Sequence, residues 1–72
     1  MSNIVDARGL SCPQPVMITL AEISKINKGQ LVILVDTDTS RENVTRAAKT
    51  LGWQVSDIQP EDVGYRITIS KD

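Results

Sequence analysis

An uninterrupted aliphatic run near the middle of the sequence, residues 30–36 (QLVILVD), constrains the fold more than any other feature. Such a run is typical of a central β-strand. Helical patterns flank it on both sides, and strand patterns lie beyond them. A chain of 72 residues has enough core for one domain, so residues 1–72 are expected to form a single domain around one sheet.

The first half of the chain predicts a strand followed by a helix. Residues 3–7 (NIVDA) form a short apolar strand, and Gly9 turns the chain toward the helix. Pro13 is placed at the first helical position, where its missing N–H costs nothing, and Pro15 is still within the first turn. The helix is expected to continue to about Asn27. The predicted inward stripe consists of Val16, Leu20, Ile23 and Ile26 or Asn27.

The second half predicts a helix and two further strands. Thr39 and Glu42 are expected to form a capping box, and Gly52 to end the helix. Residues 53–59 (WQVSDIQ) form a weaker strand, because Asp57 interrupts the alternation, as at a sheet edge or a bulge. Residues 65–71 (YRITISK) alternate cleanly. The predicted inward stripe of the second helix is Val44, Ala47, Ala48 and Leu51.

The resulting order, β-α-β-α-β-β, predicts an α+β fold. Each β-α-β unit is expected to be a right-handed crossover between parallel neighbouring strands, and the last two strands an antiparallel hairpin. Both helices then lie on one face of a four-stranded mixed sheet, which makes a two-layer sandwich. The other face is bare. Either the set Leu31, Ile33 and Val35 or the set Val32 and Leu34 faces that side, where a partner or a second copy would cover it in part.

Composition narrows the class of function. Eight basic and nine acidic residues give a net charge of −1, which argues against strongly electrostatic binding of nucleic acid. No apolar run approaches the ~20 residues that cross a bilayer, and the first residues do not have the pattern of a signal peptide. One cysteine cannot form an internal disulfide, so we expect a reducing, cytoplasmic location and no membrane partner.

The lone cysteine is the strongest candidate for chemistry. If Pro13 begins the helix, Cys12 occupies the N-cap, where backbone N–H groups and the helix dipole favour a thiolate. Arg8 would add positive charge. A buried cysteine that only fills space is the alternative, although the first turn after a strand usually lies at the surface.

Other uses of a cysteine are excluded by what the sequence lacks. The chain contains no histidine and no second cysteine, which excludes a Cys-His pair, a Cys-x-x-Cys redox couple and a zinc site. No metal or other cofactor is predicted. The remaining use of Cys12 is as a thiol that accepts a group and hands it on, such as sulfur held as a persulfide.

The same residues resemble the signature of the TusA/SirA family of small sulfur-carrier proteins. The signature residues are Asp6, Gly9, Leu10, Cys12, Pro13 and Pro15, and residues 43–52 (NVTRAAKTLG) resemble the family's second helix. The closest likeness is to the TusA-like N-terminal domain of YedF-type proteins, some of which are associated with selenium metabolism.

The resemblance implies the sandwich described above and a persulfide on Cys12. A cysteine desulfurase or another sulfurtransferase would donate the sulfur, and an acceptor protein would receive it. Any transferase activity would therefore depend on partner enzymes. In the TusA branch such a relay feeds thiolation of tRNA, and in other branches it serves sulfur oxidation or cofactor assembly.

Several other residues have two possible roles. Asp6 either forms a turn with nearby backbone or orients the loop that carries Cys12. Ile18, predicted to face outward, is either incidental or a docking contact, and Met17 is expected to flank the core. Trp53 is expected to cap one end of the core. Arg41, Arg46 and Lys49 either form a solvated helix face or, with Arg8, a basic patch that docks an acidic partner.

A binding module without chemistry is the rival function. The bare sheet face would then dock RNA or a regulatory protein, and Cys12 would be incidental. The sequence speaks against RNA, because it contains one Tyr, one Trp and no Phe that could stack on bases.

Overall fold

The computed structural model describes residues 3–10, 14–61 and 64–71. The elements are β1 (Asn3–Asp6), α1 (Gln14–Ile26), β2 (Gly29–Val35), α2 (Asp38–Thr50), β3 (Gln54–Glu61) and β4 (Gly64–Lys71). The predicted β-α-β-α-β-β order is confirmed, as is the α+β class with four strands in one mixed sheet. Within the described ranges, no helix combines the length and apolarity that a bilayer span requires.

The strand order, β1-β2-β4-β3, differs in one respect from the prediction. β1 is parallel to β2 and β3 pairs antiparallel with β4, as expected, but β4 lies between β2 and β3. The second crossover therefore skips one position. β4 suits the interior because it alternates regularly and its residues from Tyr65 to Ser70 pair on both sides. β3 suits the edge, because its register shifts between Val55 and Asp57 and Pro60 lacks an N–H for a second neighbour.

The core lies between the sheet and the two helices. Leu31, Ile33 and Val35 of β2 face the helices and are fully buried, and Ile67 and Ile69 of β4 pair beside them on the same face. Trp53 is only 3% exposed and joins this cluster, in agreement with its predicted place at the end of the core. The helices and β1 complete the cluster with Val5, Ala7, Ile23, Val44 and Ala48.

The buried side of α1 is rotated by about one residue from the predicted stripe. Pro15, Thr19 and Ile23 are buried, whereas Leu20 is only half-buried. A proline ring in the first turn is apolar and has no N–H to satisfy, so it enters the core without cost in hydrogen bonds. Thr19 is tolerated because its hydroxyl donates to the carbonyl of Pro15 at 2.8 Å.

This rotation overturns two predictions about side chains on α1. Ile18, predicted to face outward, is half-buried and packs against the core. Met17, predicted to flank the core, is 61% exposed. The exposed apolar side chain near the start of α1 is therefore Met17.

The ends of α2 are defined by one residue that was predicted and one that was not. Thr37, rather than Thr39, is the N-cap, and its hydroxyl accepts the N–H of Ser40 at 3.0 Å. Gly52 ends the helix as predicted, with φ +84°. Because the helix turns away at this glycine, Leu51 is 43% exposed instead of buried.

The face of the sheet opposite the helices carries Val32, which is only 8% exposed, and Leu34, which is half-buried; this settles the alternative left open by the sequence. Ile4 of β1 pairs beside Val32 on this face and is 62% exposed. Toward β3 the same face becomes polar, with Arg66 and Asp57 exposed. The apolar part is therefore confined to the β1–β2 side.

Gly64 is required by close packing of the backbone. A Cβ at this position would lie 2.0 Å from the carbonyl oxygen of Val35 and 2.7 Å from Cα of Asp36. We expect Gly64→Ala to lower the free energy of unfolding by roughly 2–4 kcal/mol, because β2 and β4 must separate to admit the methyl group. Denaturant unfolding measures the loss.

Gly52→Ala is the matched control for this prediction. Gly52 has a positive φ, but a Cβ there meets only Lys71 Nζ at 3.8 Å. Its cost is therefore limited to backbone strain of about 1–2 kcal/mol. A Gly64→Ala variant as stable as the unsubstituted protein would show that the strands do not pack this closely.

Candidate functional site

The candidate site lies at the edge of the sheet where β1 and β2 end. Because these strands are parallel and in register from Asn3 with Leu31 to Asp6 with Leu34, their carboxyl ends meet at one edge. Both helices also begin at this edge, because each follows one of the two strands. The sequence predicts Cys12 at the N-cap of α1 after Pro13 is placed in the helix. Ser11, Cys12 and Pro13 lie outside the described residues, so the site is described through their flanking residues.

Asp6 and Arg8 form a bidentate ion pair at this edge. Arg8 donates from Nε and Nη2 to the two carboxylate oxygens of Asp6, each at 2.9 Å, and its backbone N–H donates at 3.1 Å. The hydrogen bonds from the Arg8 side chain and backbone lower the pKa of Asp6 to about 2, so the carboxylate stays ionised throughout the neutral range. Asp6 thus has the turn geometry predicted for it. Arg8 offers less net positive potential than the sequence suggested, because Asp6 balances its charge.

A second carboxylate, Asp36, ties the same loop to β2. The N–H of Gly9 donates to Oδ2 of Asp36 at 2.7 Å, across 27 positions of sequence. Gly9 has φ +81°, a conformation that favours glycine, and this directs its N–H toward β2. Asp36 was not among the predicted site residues. Its position at the carboxyl end of the strand parallel to β1 is the signal that could have identified it.

The chain is anchored in the core on both sides of Cys12. Leu10 packs against the core before it, and Pro15 is buried after it. The first turn of α1, as described from Gln14, carries no acidic side chain. The N–H groups and dipole of that turn are therefore not neutralised by a carboxylate of the helix itself.

A third group of residues stands where α2 begins. The hydroxyl of Tyr65 donates to Oδ1 of Asp38, and this hydrogen bond raises the pKa of Tyr65 above its ordinary value. The guanidinium of Arg41 lies over the Tyr65 ring, 4.9 Å from its centre. Tyr65 and Asp38 were not predicted as a pair, because strand β4 is brought beside α2 only by the tertiary fold.

The predicted basic residues do not form one patch. Arg41, Arg46 and Lys49 line a groove beside α2, with Ile58 of β3 opposite them. Arg8 follows β1, and the strand order places β1 and β3 at opposite edges of the sheet. Arg8 is thus separated from the other three cations. Arg46 also borders a second, mostly apolar groove of about 410 Å³ between the helices, lined by Val16, Leu20, Ala47 and Leu51 among others.

Comparison with known proteins identifies the relatives of this chain. The family model described as "Sulfurtransferase TusA" matches residues 3–71. The protein named sulfur carrier protein TusA from Buchnera aphidicola subsp. Baizongia pistaciae is 30% identical over 71 residues, which is 97% of this chain and 90% of the relative. The protein of the same name from Pseudomonas putida (strain W619) is 33% identical over 69 residues, 94% of this chain and 86% of the relative.

A solved structure agrees with these sequences. The crystal structure of a SirA-like protein from Desulfitobacterium hafniense superposes with a TM-score of 0.85 at 28% identity, and the match covers 94% of this chain and 95% of the other. The family match spans every described element, from β1 to β4. The chain therefore belongs to the TusA family of sulfur carriers.

Proposed function

We propose that this protein carries sulfur as a persulfide on Cys12, which it receives from a donor enzyme and passes to an acceptor protein. The observation that carries the proposal is that its only thiol stands in the sequence between two anchors in the core, Leu10 and Pro15, directly before α1. A short connection between fixed points restricts where a transferred atom can be held. Asp36 and the Asp6–Arg8 pair support the loop from the other side.

The start of α1 favours the ionised form of a thiol placed there. The first N–H groups of a helix lack intrahelical acceptors, and the helix dipole is positive at this end. Proline has no N–H, so Gln14 and Val16 supply donors in this turn while Pro15 stiffens it. A negative sulfur close to these donors would have a lowered pKa and be more reactive at neutral pH.

The proposed transfer needs no additional reactant. The Cys12 thiolate attacks the outer sulfur of a cysteine persulfide on the donor; a new S–S bond forms, the donor's S–S bond breaks, and the donor cysteine leaves as a thiolate. An acceptor nucleophile then attacks the outer sulfur of the Cys12 persulfide. The S–S bond breaks, and the Cys12 sulfur leaves as a thiolate. A low thiol pKa helps this second step, because the leaving group is then stable as an anion.

The partners in this proposal are proteins. A cysteine desulfurase or other sulfurtransferase is the donor, and the acceptor belongs to a relay such as tRNA thiolation or sulfur and selenium metabolism. The proposed location is the cytoplasm, with residues 1–72 acting as one carrier domain. Direct binding of RNA gains little support, since Trp53 is buried and Arg41 covers one face of Tyr65.

Loading of the protein by a desulfurase tests the proposal directly. Incubation with a cysteine desulfurase, pyridoxal phosphate and cysteine is expected to increase the intact mass by one sulfur atom, and dithiothreitol is expected to reverse the gain. Cys12→Ser should show no gain, because the chain has no other thiol. A mass unchanged with several donors, or a gain that persists in Cys12→Ser, would contradict the carrier role.

The reactivity of Cys12 should have a shifted pH dependence. We expect the rate of alkylation by iodoacetamide to reach half its maximum below the ordinary thiol pKa of about 8.5, because the helix start stabilises the thiolate. The urea-unfolded protein provides the reference curve. If the folded and unfolded proteins give the same midpoint, the helix start does not activate this thiol.

Asp36 should influence transfer through its hydrogen bond rather than its charge. Asp36→Ala removes the acceptor of the Gly9 N–H, whereas Asp36→Asn keeps an acceptor oxygen while removing the charge. We expect sulfur uptake to slow by on the order of tenfold in Asp36→Ala, because small errors in the position of a reacting atom are costly. Asp36→Asn should retain most of the rate.

Unfolding measurements on both Asp36 variants separate positioning from stability. The comparison is made at a temperature where each variant is fully folded. If both variants take up sulfur as fast as the unsubstituted protein, Asp36 is not a positioning residue; if both are equally slow, its charge rather than its hydrogen bond is responsible.

A further inference from the structure

The groove beside α2 has a charge pattern that the sulfur chemistry does not explain. It has a volume of about 320 Å³ and is lined by Arg41, Thr45 and Lys49, by Glu42 and Arg46, and by Ile58 of β3. We call it the α2–β3 groove. We propose that the α2–β3 groove docks an acidic, extended segment of a protein partner. The proposal rests on the proposed function only in supposing that a carrier must be engaged by other proteins.

The balance of charge in the groove favours an anionic occupant. Three cationic side chains and one carboxylate line it, although the whole chain has a net charge of −1. Oε1 of Glu42 lies 3.9 Å from Nη2 of Arg41, so this carboxylate pairs with Arg41 and not with Arg46 or Lys49. Within the described part of the chain, Arg46 and Lys49 form no ion pair with a carboxylate.

The spacing of side chains along α2 fits a partner segment in extended conformation. Arg41, Thr45 and Lys49 follow one another at intervals of four residues, so they lie along one side of α2 and span about 12 Å. An extended chain covers about 13 Å in four residues, and its alternate side chains point the same way. Carboxylates at positions i and i+4 of a partner segment therefore match Arg41 and Lys49. The residue at i+2 faces Thr45.

The polar atoms of the groove wall also lack acceptors. Arg41 Nε and Thr45 Oγ1 are buried, and neither has a hydrogen-bond partner among the described residues. Stacking over Tyr65 restrains the Arg41 side chain, which is still 31% exposed. An arginine restrained in this way loses less side-chain entropy when it binds a carboxylate.

A short acidic peptide suits this surface better than a long polyanion. Asp38 stands at the start of α2, one turn before Arg41, and would repel phosphates that extend past the three cations. Ile58 gives the groove an apolar wall, which a side chain of a peptide can cover and a phosphate backbone cannot. Neither aromatic residue presents a free face there for base stacking, since Trp53 is buried and Arg41 covers one face of Tyr65.

Titration followed by NMR tests the proposal in isotope-labelled Cys12→Ser protein, so the result does not depend on sulfur chemistry. The probe is a synthetic peptide with glutamate at positions i, i+2 and i+4 of a β-prone sequence, titrated to millimolar concentration at low salt. We expect saturable shifts of the amide signals of residues 41–49 and of Ile58, which weaken as salt is added. The glutamine version of the peptide should bind at least about tenfold more weakly.

Charge-reversal variants show whether the groove is responsible. Arg46→Glu/Lys49→Glu is expected to weaken binding by roughly tenfold or more, because both unpaired cations then repel the peptide. Lys25→Glu/Lys28→Glu changes the net charge by the same amount, but Lys25 lies in the last turn of α1 and Lys28 in the turn that follows it. Binding should therefore fall by less than about threefold.

Three results would overturn the proposal. One is the absence of shifts in the groove at millimolar peptide, and another is an equal loss of binding in the two double variants. The third is stronger, groove-dependent binding of inorganic phosphate or a short RNA than of the acidic peptide. None of these results would alter persulfide formation on Cys12, and a failure to form the persulfide would leave peptide binding unaffected.

Discussion

Parallel pairing of β1 with β2 is the interaction on which the site depends. It brings the carboxyl ends of two strands to one edge, and thereby places Asp36 within 2.7 Å of the Gly9 N–H. Continuation of the pairing through the N–H of Ala7, which donates to Leu34 at 2.8 Å, fixes the exit direction of the loop. Within the described residues β1 has four residues and one neighbour in the sheet, so the register at the candidate site rests on few hydrogen bonds. The Asp36 contact adds a charge-assisted bond where the ladder ends.

Local patterns in the sequence predicted the elements well because each carries its own signal. The aliphatic run from Leu31 to Val35, the clean alternation from Tyr65 to Ser70 and the glycine after α2 are short-range features, and the structure has a strand, a strand and a helix end at these places. The resemblance carried by the residues around Cys12 led to the right family. The bulge and edge position of β3 also followed from a local irregularity at Asp57.

What the sequence could not predict depends on contacts between distant segments. To predict that β4 lies between β2 and β3, one must know which of the two later strands pairs better with β2. The periodicity of a single segment does not provide this. The one-residue rotation of α1 arises because a buried proline competes with Val16 and Leu20 for the core, and it decides that Met17 rather than Ile18 is exposed. Asp36 and Asp38 are ordinary acidic residues by sequence and acquire their roles only through Gly9 and Tyr65.

The central place of β4 has a consequence for how the protein is made. During synthesis β1, β2 and both helices leave the ribosome before the strand that covers the inner flank of β2, so the nascent chain exposes that flank until residues 64–71 emerge. Folding is thereby governed by contacts of long sequence separation, which close slowly. The contact between Gly9 and Asp36 needs only β1 and β2, so it does not wait for β4 to complete the sheet.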